Sequence, residues 1–521
     1  MRAKAHESVS KRFQTIFQRL SSQDRDDQLE SFYNSIAAVY DPHTTYMPVK
    51  KKQDFDIDIT GKLEGIGAVL QEDGSYIKVV QIVPGGPAWR GKDLEADDVI
   101  LAVAQGAKES VDLTDMKVDD AVRHIRGKKG TEVRLTIRKA DGTRKIISII
   151  RDEIEVAATY AKSSVLQMKG ANYKVGYIQL PKFYRDFENP KINCTDDVRK
   201  EVERLKKAQV DAIILDFRNN GGGALEDARL MSGLFIEKGP IVQVKNHLGK
   251  IEVLEDTDPS VLYDGPLIIM QNRFSASASE IVAGAMQDYG RAIVVGGDFS
   301  HGKGTVQAVL DLNNGPLGSL FGDTMGALKV TIQKFYRVTG ASTQYKGITP
   351  DILLPDIASY IETREQDLDY SLPWDQIQAR PFKKWDKFKY DIPALKAASA
   401  KRVKENPSLQ KINKNLDYLN KRKKETVVSL NLKKVQEEEE RNKKFAEEMK
   451  VETEDANLAV SNFEDSLKAH ENTKNVDMKK WEQDFKQRKE EWVEALRKDP
   501  VLSETVLIAG DIVKTMKKTG K

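Results

Sequence analysis

A serine at the junction between an apolar segment and a helical pattern is the first candidate for chemistry. Residues 266–270 are apolar, and a helical pattern begins near Ala278, which places Ser277 at the bend. The first N–H groups of a helix lack intrahelical partners and carry partial positive charge, so they could stabilise an oxyanion beside Ser277. Ser277 and Glu280 also match the S-x-x-E capping box, and on this motif alone an ordinary helix cap is the better explanation.

A lysine between two glycines is the second candidate. Lys303 lies between Gly302 and Gly304, and Gln307 follows four residues later. A lysine can act as the general base for a serine only if burial lowers its pKa. The glycines would permit close packing around the amine, and Gln307 could accept from it or orient it. Taken alone, an exposed turn is the simpler interpretation of this segment.

The glycine-rich segment 221–223 follows a further apolar run, and its backbone amides could face an oxyanion. A flexible turn in which Asp216 and Asn219 cap backbone groups explains the same composition. The spacing does not match the G-x-G-x-x-G of a dinucleotide-binding fold. The Lys303 segment does not match a P-loop either, because position 298 is Asp where that motif needs Gly.

A Ser–His–Asp triad is the main alternative for nucleophilic catalysis. Of the six histidines, only His247 and His301 lie in the same part of the chain as Ser277. His301 lies two residues before Lys303 and remains an alternative base. No histidine–carboxylate spacing predicts a metal site.

In a more N-terminal, strand-rich part of the chain, Gly65, Ile66 and Gly67 precede a strand. Backbone amides in such a loop can bind a terminal carboxylate, and the strand that follows can pair with a peptide by β-addition. An ordinary glycine turn is the alternative.

Changes in periodicity divide the 521 residues into four predicted domains. Residues 1–56 have helical spacing, and residues 57–153 have short strands with one helix at 118–126. Residues 154–356 alternate strands with helices, which predicts an α/β domain with a largely parallel sheet. Residues 357–521 are highly charged and predicted to be helical, and their more apolar end, 501–516, is expected to pack on another element.

Composition excludes several classes of protein. Lys+Arg 83 nearly balances Asp+Glu 80, so there is no global electrostatic case for nucleic acid or an anionic membrane. The single cysteine, Cys194, can form neither an internal disulfide nor a multi-Cys metal site. No apolar run has the length of a transmembrane helix, and the first residues lack the apolar core of a signal peptide. We therefore expect a protein that either stays where it is made or is a mature or trimmed form.

Residues 41–356 resemble the tail-specific proteases, also called C-terminal processing peptidases. The resemblance rests on the order of short motifs at residues 41–44, 63–70, 85–88, 219–225, 274–281, 302–307, 331–337 and 347–352. The charged C-terminal part is similar to that of the larger periplasmic members, the Prc/Tsp branch. The resemblance implies a crotonase/ClpP-like catalytic domain, a PDZ domain before it and a charged helical C-terminal domain. In this reading residues 1–56 are the last part of a longer N-terminal helical domain.

The same resemblance implies roles for individual residues. Ser277 would be the nucleophile, Lys303 the general base and Gln307 the residue that holds the lysine. The backbone N–H groups of Gly223 and Ala278 would form the oxyanion hole.

It also implies partners. Gly65, Ile66 and Gly67 would bind the free carboxylate of a poorly folded protein with an apolar C-terminal tail. An adaptor protein is a further expected partner. No cofactor, metal or nucleic acid is implied, and the family location is the bacterial periplasm.

One departure from the family pattern concerns the loop before Lys303. Relatives have Phe-Gly-Lys-Gly, whereas this chain has Ser300 and His301 before Gly302, so the Ser277–Lys303 separation is one residue longer than usual. A different class of function therefore stays open, namely a PDZ-bearing scaffold or latent protease that holds C-terminal peptides without cutting them. An acyl-CoA enzyme on the same fold is disfavoured by the Ser/Lys pair and the PDZ-like segment.

Overall fold

The computed structural model describes residues 2–21, 23–83, 85–155, 159–314, 325–450, 454–468 and 478–518. The N-terminal segment contains α1 (Arg2–Ser21), α2 (Arg25–Ala37), β1 (Thr45–Met47) and α3 (Val49–Thr60). Asp24 and Asp27 form a capping box that starts α2. Gly61, with φ of 72°, ends α3 in the left-handed conformation that glycine adopts without strain.

A small β domain follows. Its elements are β2 (Lys62–Gly65), β3 (Ala68–Asp73), β4 (Tyr76–Ile82), α4 (Pro87–Gly91), β5 (Val99–Gln105), β6 (Val111–Asp112), α5 (Val118–Ile125), β7 (Glu132–Arg138), β8 (Arg144–Ile150) and β9 (Asp152–Glu155). The main sheet has the order β3-β4-β5-β7-β8, so β3 is an edge strand, and α5 packs beside it. Alternate residues of β7, Val133, Leu135 and Ile137, are buried, as period-two patterning requires.

The α/β domain contains β10 (Lys162–Met168), β11 (Val175–Gln179), α6 (Cys194–Lys207), β12 (Ala212–Asp216), α7 (Leu225–Gly233), β13 (Gly239–Asn246), β14 (Ile251–Asp256), β15 (Leu267–Gln271), α8 (Ala278–Asp288), β16 (Ile293–Gly296), β17 (Thr305–Asp311), β18 (Ala327–Tyr336) and β19 (Ile352–Leu353). Strands β11, β12, β15, β16 and β19 are parallel neighbours in one sheet. β12 and β15 are fully buried apolar runs, because the sheet is covered on both faces.

A second sheet includes a strand from the N-terminal segment. Its order is β1-β18-β13-β14, with β17 also paired to β18. Thr45 pairs with Lys329 in the antiparallel β1–β18 ladder. Residues 1–56 were predicted to be helical with a turn at 41–45, and β1, which begins at the end of that turn, ties this segment to the α/β domain.

The C-terminal part contains α9 (Ile392–Glu405), α10 (Pro407–Lys423), α11 (Leu432–Met449), β20 (Leu458–Asn462), α12 (Glu464–Lys468), α13 (Met478–Arg497) and α14 (Pro500–Lys518). α14 buries Leu502, Val506 and Ile508 in the same apolar cluster as β11 and β12, which agrees with the packing predicted for 501–516. The multidomain α/β architecture with a helix-rich C-terminal part is thus confirmed.

Residues 357–521, predicted to form a helical domain, include two stretches that are not α-helical. Between 357 and 391 the chain has only short 3-10 helices, at Ile357–Tyr360 and Glu365–Asp367. Pro373 and Pro381 interrupt helical hydrogen bonding in this segment. The second exception is β20, which pairs antiparallel with β10 and extends the parallel sheet of the α/β domain to seven strands.

Within the described ranges, no helix combines the length and apolar character needed to cross a membrane.

Candidate active site

Three loops that carry the predicted site residues lie at one edge of the parallel sheet. The glycine-rich loop follows β12, the Ser277 turn follows β15, and the Lys303 loop follows β16. β12, β15 and β16 are consecutive parallel neighbours, so their carboxyl ends, and the loops that leave them, are adjacent. In open α/β sheets, this edge is where ligands bind.

The backbone at Ser277 has an unusual conformation. Its φ is 55° and its ψ is −113°, a strained region for a residue with a side chain. The turn is held by Asn220, whose carbonyl accepts from Ala276 N–H at 2.9 Å and from Ser279 Oγ at 2.9 Å. A Cβ on Gly222 would lie 2.8 Å from Ser277 Cβ, so only glycine permits this approach. Ser277 therefore occupies a constrained strand-to-helix turn rather than a simple helix cap.

A buried carboxylate, Glu280, joins this turn to the lysine loop. Its Oε2 accepts from Ser277 N–H at 2.8 Å and Lys303 N–H at 3.0 Å. Its Oε1 accepts from Gly302 N–H at 2.7 Å and Ser300 Oγ at 2.5 Å. Burial raises the pKa of Glu280 to about 7, while the four donors favour the charged form. The Glu280 side chain thereby holds both Ser277 and Lys303, which are far apart in the sequence, through their backbone N–H groups.

Lys303 has the electrostatic character that a general base needs. Burial of its amine, reinforced by the positive charge of Lys329, lowers the pKa of Lys303 to about 8. Glu365, Glu280 and Asp41 act in the opposite direction. The structure shows no hydrogen bond between Ser277 Oγ and Lys303 Nζ, both of which lie in its described part. Catalytic hydrogen bonds are often long in a free enzyme and shorten when substrate binds.

Gln307 lies next to this pair but is directed at hydroxyl groups. Its Nε2 donates to Thr305 Oγ1 and Thr331 Oγ1, both at 3.0 Å, and Thr331 Oγ1 donates to Asp41 at 2.8 Å. Within the described residues, no hydrogen bond joins Gln307 to Lys303. The predicted role of holding the lysine is therefore not a direct contact in this structure.

The two predicted oxyanion-hole amides come from different elements, Gly223 from the glycine-rich loop and Ala278 from the first position of α8, directly after Ser277. Gly223 has φ of 144°, and a Cβ there would lie 2.1 Å from the Phe183 carbonyl oxygen. Phe183 N–H donates to the Gly222 carbonyl at 3.0 Å, and Ala224 N–H donates to the Phe183 carbonyl at 2.8 Å. Neither Gly223 N–H nor Ala278 N–H donates to a protein acceptor among the described residues. Both donors therefore remain available to a ligand.

These residues line one cleft of about 1640 Å³ between α3, the small β domain and the α/β domain. The predicted site residues that line it are Gly223, Ser277, Ala278, Lys303 and Gln307. Gly65, Ile66 and Gly67 do not line it, although the preceding residues Leu63 and Glu64 do. The predicted carboxylate-binding loop thus lies beside the cleft rather than in it.

The carboxylate-binding loop has free donors of its own. Gly67 has φ of 77°, and its carbonyl accepts from Val83 N–H at 2.8 Å, while the Ile66 carbonyl accepts from Ala88 N–H at 2.8 Å. The N–H groups of Ile66 and Gly67 donate to no acceptor in the described part of the protein. These amides precede edge strand β3, whose outer side pairs with no other strand among the described residues.

The triad alternative gains no support from the geometry. Neither His247 nor His301 is among the residues that line the cleft. His247 is exposed in the turn after β13, and His301 Nδ1 lies 3.8 Å from Glu365.

Sequence reasoning missed several residues of this site. Glu280 was visible as a capping-box residue and, like Asn220 and Asp41, lay within a family motif, but none of the three had a predicted role in the site. Asp41 and Glu365 lie far from Ser277 along the chain, so no local spacing connects them with it. What these residues share is a polar side chain with several hydrogen-bond partners inside the protein, and this property can be recognised only in a structure.

Four family models match the chain. They are the tail-specific protease N-terminal domain (residues 2–50), the PDZ domain (56–138), peptidase family S41 (174–354) and the C-terminal domain of tail-specific protease (358–514).

Curated relatives agree with these models. The chain is 39% identical over 429 residues to a tail-specific protease of Haemophilus influenzae, which covers 82% of this chain and 60% of the relative. It is 30% identical to a carboxyl-terminal-processing protease of Picosynechococcus, covering 67% of this chain and 79% of the relative. A carboxy-terminal-processing protease of Bartonella bacilliformis is 32% identical over 66% of this chain and 74% of the relative.

Among solved structures, a photosystem II D1 C-terminal processing protease is similar at 23% identity with a TM-score of 0.37, covering 66% of this chain and 86% of the other.

The chain belongs to peptidase family S41, as its match to that family model and its 30% identity to the Picosynechococcus protease show. Within that family, the chain belongs to the tail-specific, or C-terminal processing, proteases, as its resemblance to them predicted. It spans about 60% of the length of the Haemophilus relative.

The first prediction concerns Glu280. Each carboxylate oxygen of Glu280 accepts two hydrogen bonds, and at least one of the two donors is a backbone N–H. In Glu280→Gln the amide NH₂ group replaces one of these oxygens in either orientation, so it faces two donors and can accept from neither. We expect the free energy of unfolding to fall by about 1–3 kcal/mol, and peptidase turnover to fall at least about tenfold. Urea denaturation and cleavage of an unfolded protein measure the two effects. Glu237→Gln, at an exposed ion pair, is the matched control.

The same variant has a pH signature. The pKa of Glu280 in the folded protein, about 7, lies above its ordinary value of 4.5, so ionisation destabilises the fold as pH rises between these values. The parent should therefore lose stability relative to Glu280→Gln from pH 4.5 to 7. Equal turnover in the two proteins, with a constant stability difference across this range, would contradict the anchoring role.

Proposed function

We propose that this protein is a serine endopeptidase in which Ser277 is the nucleophile and Lys303 the general base. Neutral Lys303 Nζ takes the proton from Ser277 Oγ as the oxygen attacks the scissile carbonyl carbon. The oxyanion that forms accepts hydrogen bonds from Gly223 N–H and Ala278 N–H. The protonated lysine then gives its proton to the leaving amine, and water hydrolyses the acyl-enzyme by the reverse sequence.

One observation carries the proposal. The serine turn and the lysine loop share the Glu280 anchor at the edge of a substrate-sized cleft, and the lysine amine is buried enough to lower its pKa to about 8. A base with a pKa near the working pH has an appreciable neutral fraction and still accepts a proton readily. Gln307 supports the lysine indirectly, through the Thr331–Asp41 hydrogen bonds beside it.

We propose further that the small β domain binds the C-terminal tail of the substrate. The matching PDZ model, the unpaired edge of β3 and the free N–H groups of Ile66 and Gly67 support β-addition with carboxylate capture. Exposed Val69 on β3 offers apolar contact to a tail. A bound chain would pass from this strand towards Leu63 and Glu64, which line the cleft.

The expected substrates are therefore poorly folded proteins with apolar C-termini. A periplasmic location and an adaptor protein are part of the same proposal and are supported by the family resemblance alone. The proposed mechanism uses no cofactor, metal ion or nucleic acid.

A latent protease or binding scaffold is the second candidate. The observation that favours it is the missing hydrogen bond between Ser277 Oγ and Lys303 Nζ in a site whose loop is one residue longer than in relatives. In that case the protein would bind tails and leave them intact.

Cleavage of an unfolded protein with an apolar C-terminal tail distinguishes the two candidates. Ser277→Ala and Lys303→Ala should each lower the cleavage rate at least about 10³-fold, because each removes a group required for attack. Lys250→Ala, at an exposed turn, should match the parent.

The pH dependence of cleavage tests the base. The acid limb of kcat/KM should have an apparent pKa of about 8, as for Lys303. Tail binding without cleavage by the parent would favour the scaffold, and a limb near the usual lysine pKa of about 10.4 would contradict the proposed base.

Tail capture is tested in the Ser277→Ala background, where substrate stays intact. We expect a fluorescent peptide with an apolar C-terminus to bind at least about tenfold more tightly with a free carboxylate than with a C-terminal amide, because only the carboxylate makes charge-assisted bonds to the loop amides. Fluorescence anisotropy provides the affinities. Equal affinities for the two peptides would show that the loop does not read the terminus.

A further inference from the structure

A second buried carboxylate, Glu365, lies behind the Lys303 loop. Its side chain is fully buried, and His43 Nε2 lies 2.8 Å from Oε2 and 3.0 Å from Oε1. Gln344 Nε2 donates to Oε1 at 2.9 Å. A buried carboxylate with this many partners is a fixed, satisfied element rather than an incidental surface charge.

Glu365 is connected to the chain on both sides of Lys303, through its backbone N–H on one side and through Gln344 on the other. On one side, the N–H of Glu365 donates to the His301 carbonyl at 3.0 Å. On the other side, Gly304 N–H donates to Gln344 Oε1 at 2.7 Å, and Gln344 is the residue that donates to Glu365. The loop that presents Lys303 is thus clamped at residues 301 and 304, in addition to the Glu280 bonds at 302 and 303.

Glu365 also acts on Lys303 through its charge. Burial raises the pKa of Glu365, but hydrogen bonds from His43 and Gln344 and the charge of His43 outweigh it and lower the pKa overall, so the carboxylate stays ionised. Its negative charge raises the pKa of Lys303, against the stronger effects of burial and Lys329. The other charged or titratable groups around the loop are Asp41, Glu280, His301 and Arg364.

We propose that Glu365 is a positioning residue for Lys303, held in place by His43 and Gln344. It fixes the loop that presents the amine and supplies a negative charge that limits how readily the amine loses its proton. This role rests on the proposed function of Lys303 as the general base. His43 and Glu365 are more than 300 residues apart in the chain, and the contact between them joins their two segments behind the Lys303 loop.

Removing the charge while keeping the shape of the side chain tests the proposal. In Glu365→Gln, the amine should lose its proton more easily, so the midpoint of Lys303 deprotonation should fall by about 0.5–1 pH unit. The midpoint is read from the pH dependence of acetylation by trace acetic anhydride, with the Lys303 peptide quantified by mass spectrometry. This readout does not require proteolysis.

Glu362→Gln is the matched control, because Glu362 lies three residues away, is exposed and pairs with Lys423. It should leave the Lys303 midpoint unchanged. In the cleavage assay, Glu365→Gln should move the acid limb of kcat/KM to lower pH and reduce its plateau at least about tenfold, because the loop is less well fixed. An unchanged midpoint and plateau in Glu365→Gln would overturn the proposal.

A pair of His43 variants decides the question if Glu365→Gln does not fold. His43→Leu removes the donor to Glu365, whereas His43→Gln keeps one. We expect kcat to fall at least about tenfold in His43→Leu with KM within about twofold, and His43→Gln to restore most of it. Equal turnover in both variants would overturn the positioning role.

These measurements also separate this inference from the proposed function. If the parent does not cleave but Glu365→Gln shifts the midpoint of Lys303 deprotonation, the proposed function fails, whereas the inferred effect of Glu365 on Lys303 stands. If the parent cleaves and neither set of variants has an effect, the proposed function stands and the inference fails.

Discussion

The buried carboxylate of Glu280 is the constraint on which the rest of the site depends. It accepts hydrogen bonds from the serine turn and from the lysine loop, so neither can move without breaking a bond to the same group. Burying a carboxylate is unfavourable, and here four donors offset part of that cost while burial still raises the pKa of Glu280 to about 7. The positive φ of Ser277 fits this arrangement, because a strained backbone persists only where its surroundings leave no alternative.

The environment of the lysine is assembled from distant parts of the chain. Asp41 comes from the N-terminal segment, Lys329 from β18 and Glu365 from the segment after β19. β1 pairs with β18, and Asp41 accepts from Thr331, so the N-terminal segment is part of the site's support. β20 similarly joins the C-terminal part to the sheet that carries the three loops. The charges that set the basicity of Lys303 therefore depend on the N-terminal segment and the segment after β19 as well as on the α/β domain.

The sequence predicted the elements whose patterns are local. The apolar runs that became β12 and β15 and the helical pattern that became α8 were recognisable, because burial of a strand or of a helix face leaves a pattern in the sequence. Taken alone, Ser277 could be a helix cap and Lys303 part of an exposed turn. Only the order of the family motifs along the chain identified the two residues as a predicted catalytic pair. Long-range contacts left no such pattern. The capping-box spacing of Glu280 did not reveal its bonds to Gly302 and Lys303, and nothing near β20 indicated a partner almost 300 residues earlier.

Reaction of the parent and Lys303→Ala with a fluorophosphonate is a direct test of the Ser277–Lys303 pair, since the reagent phosphonylates an activated serine without needing a substrate tail. We expect that the modified peptide contains Ser277, that the rate rises with an apparent pKa of about 8, and that Lys303→Ala is not labelled on the same timescale. Labelling of another serine, or equal labelling of Ser277 in both proteins, would contradict a Ser277–Lys303 pair.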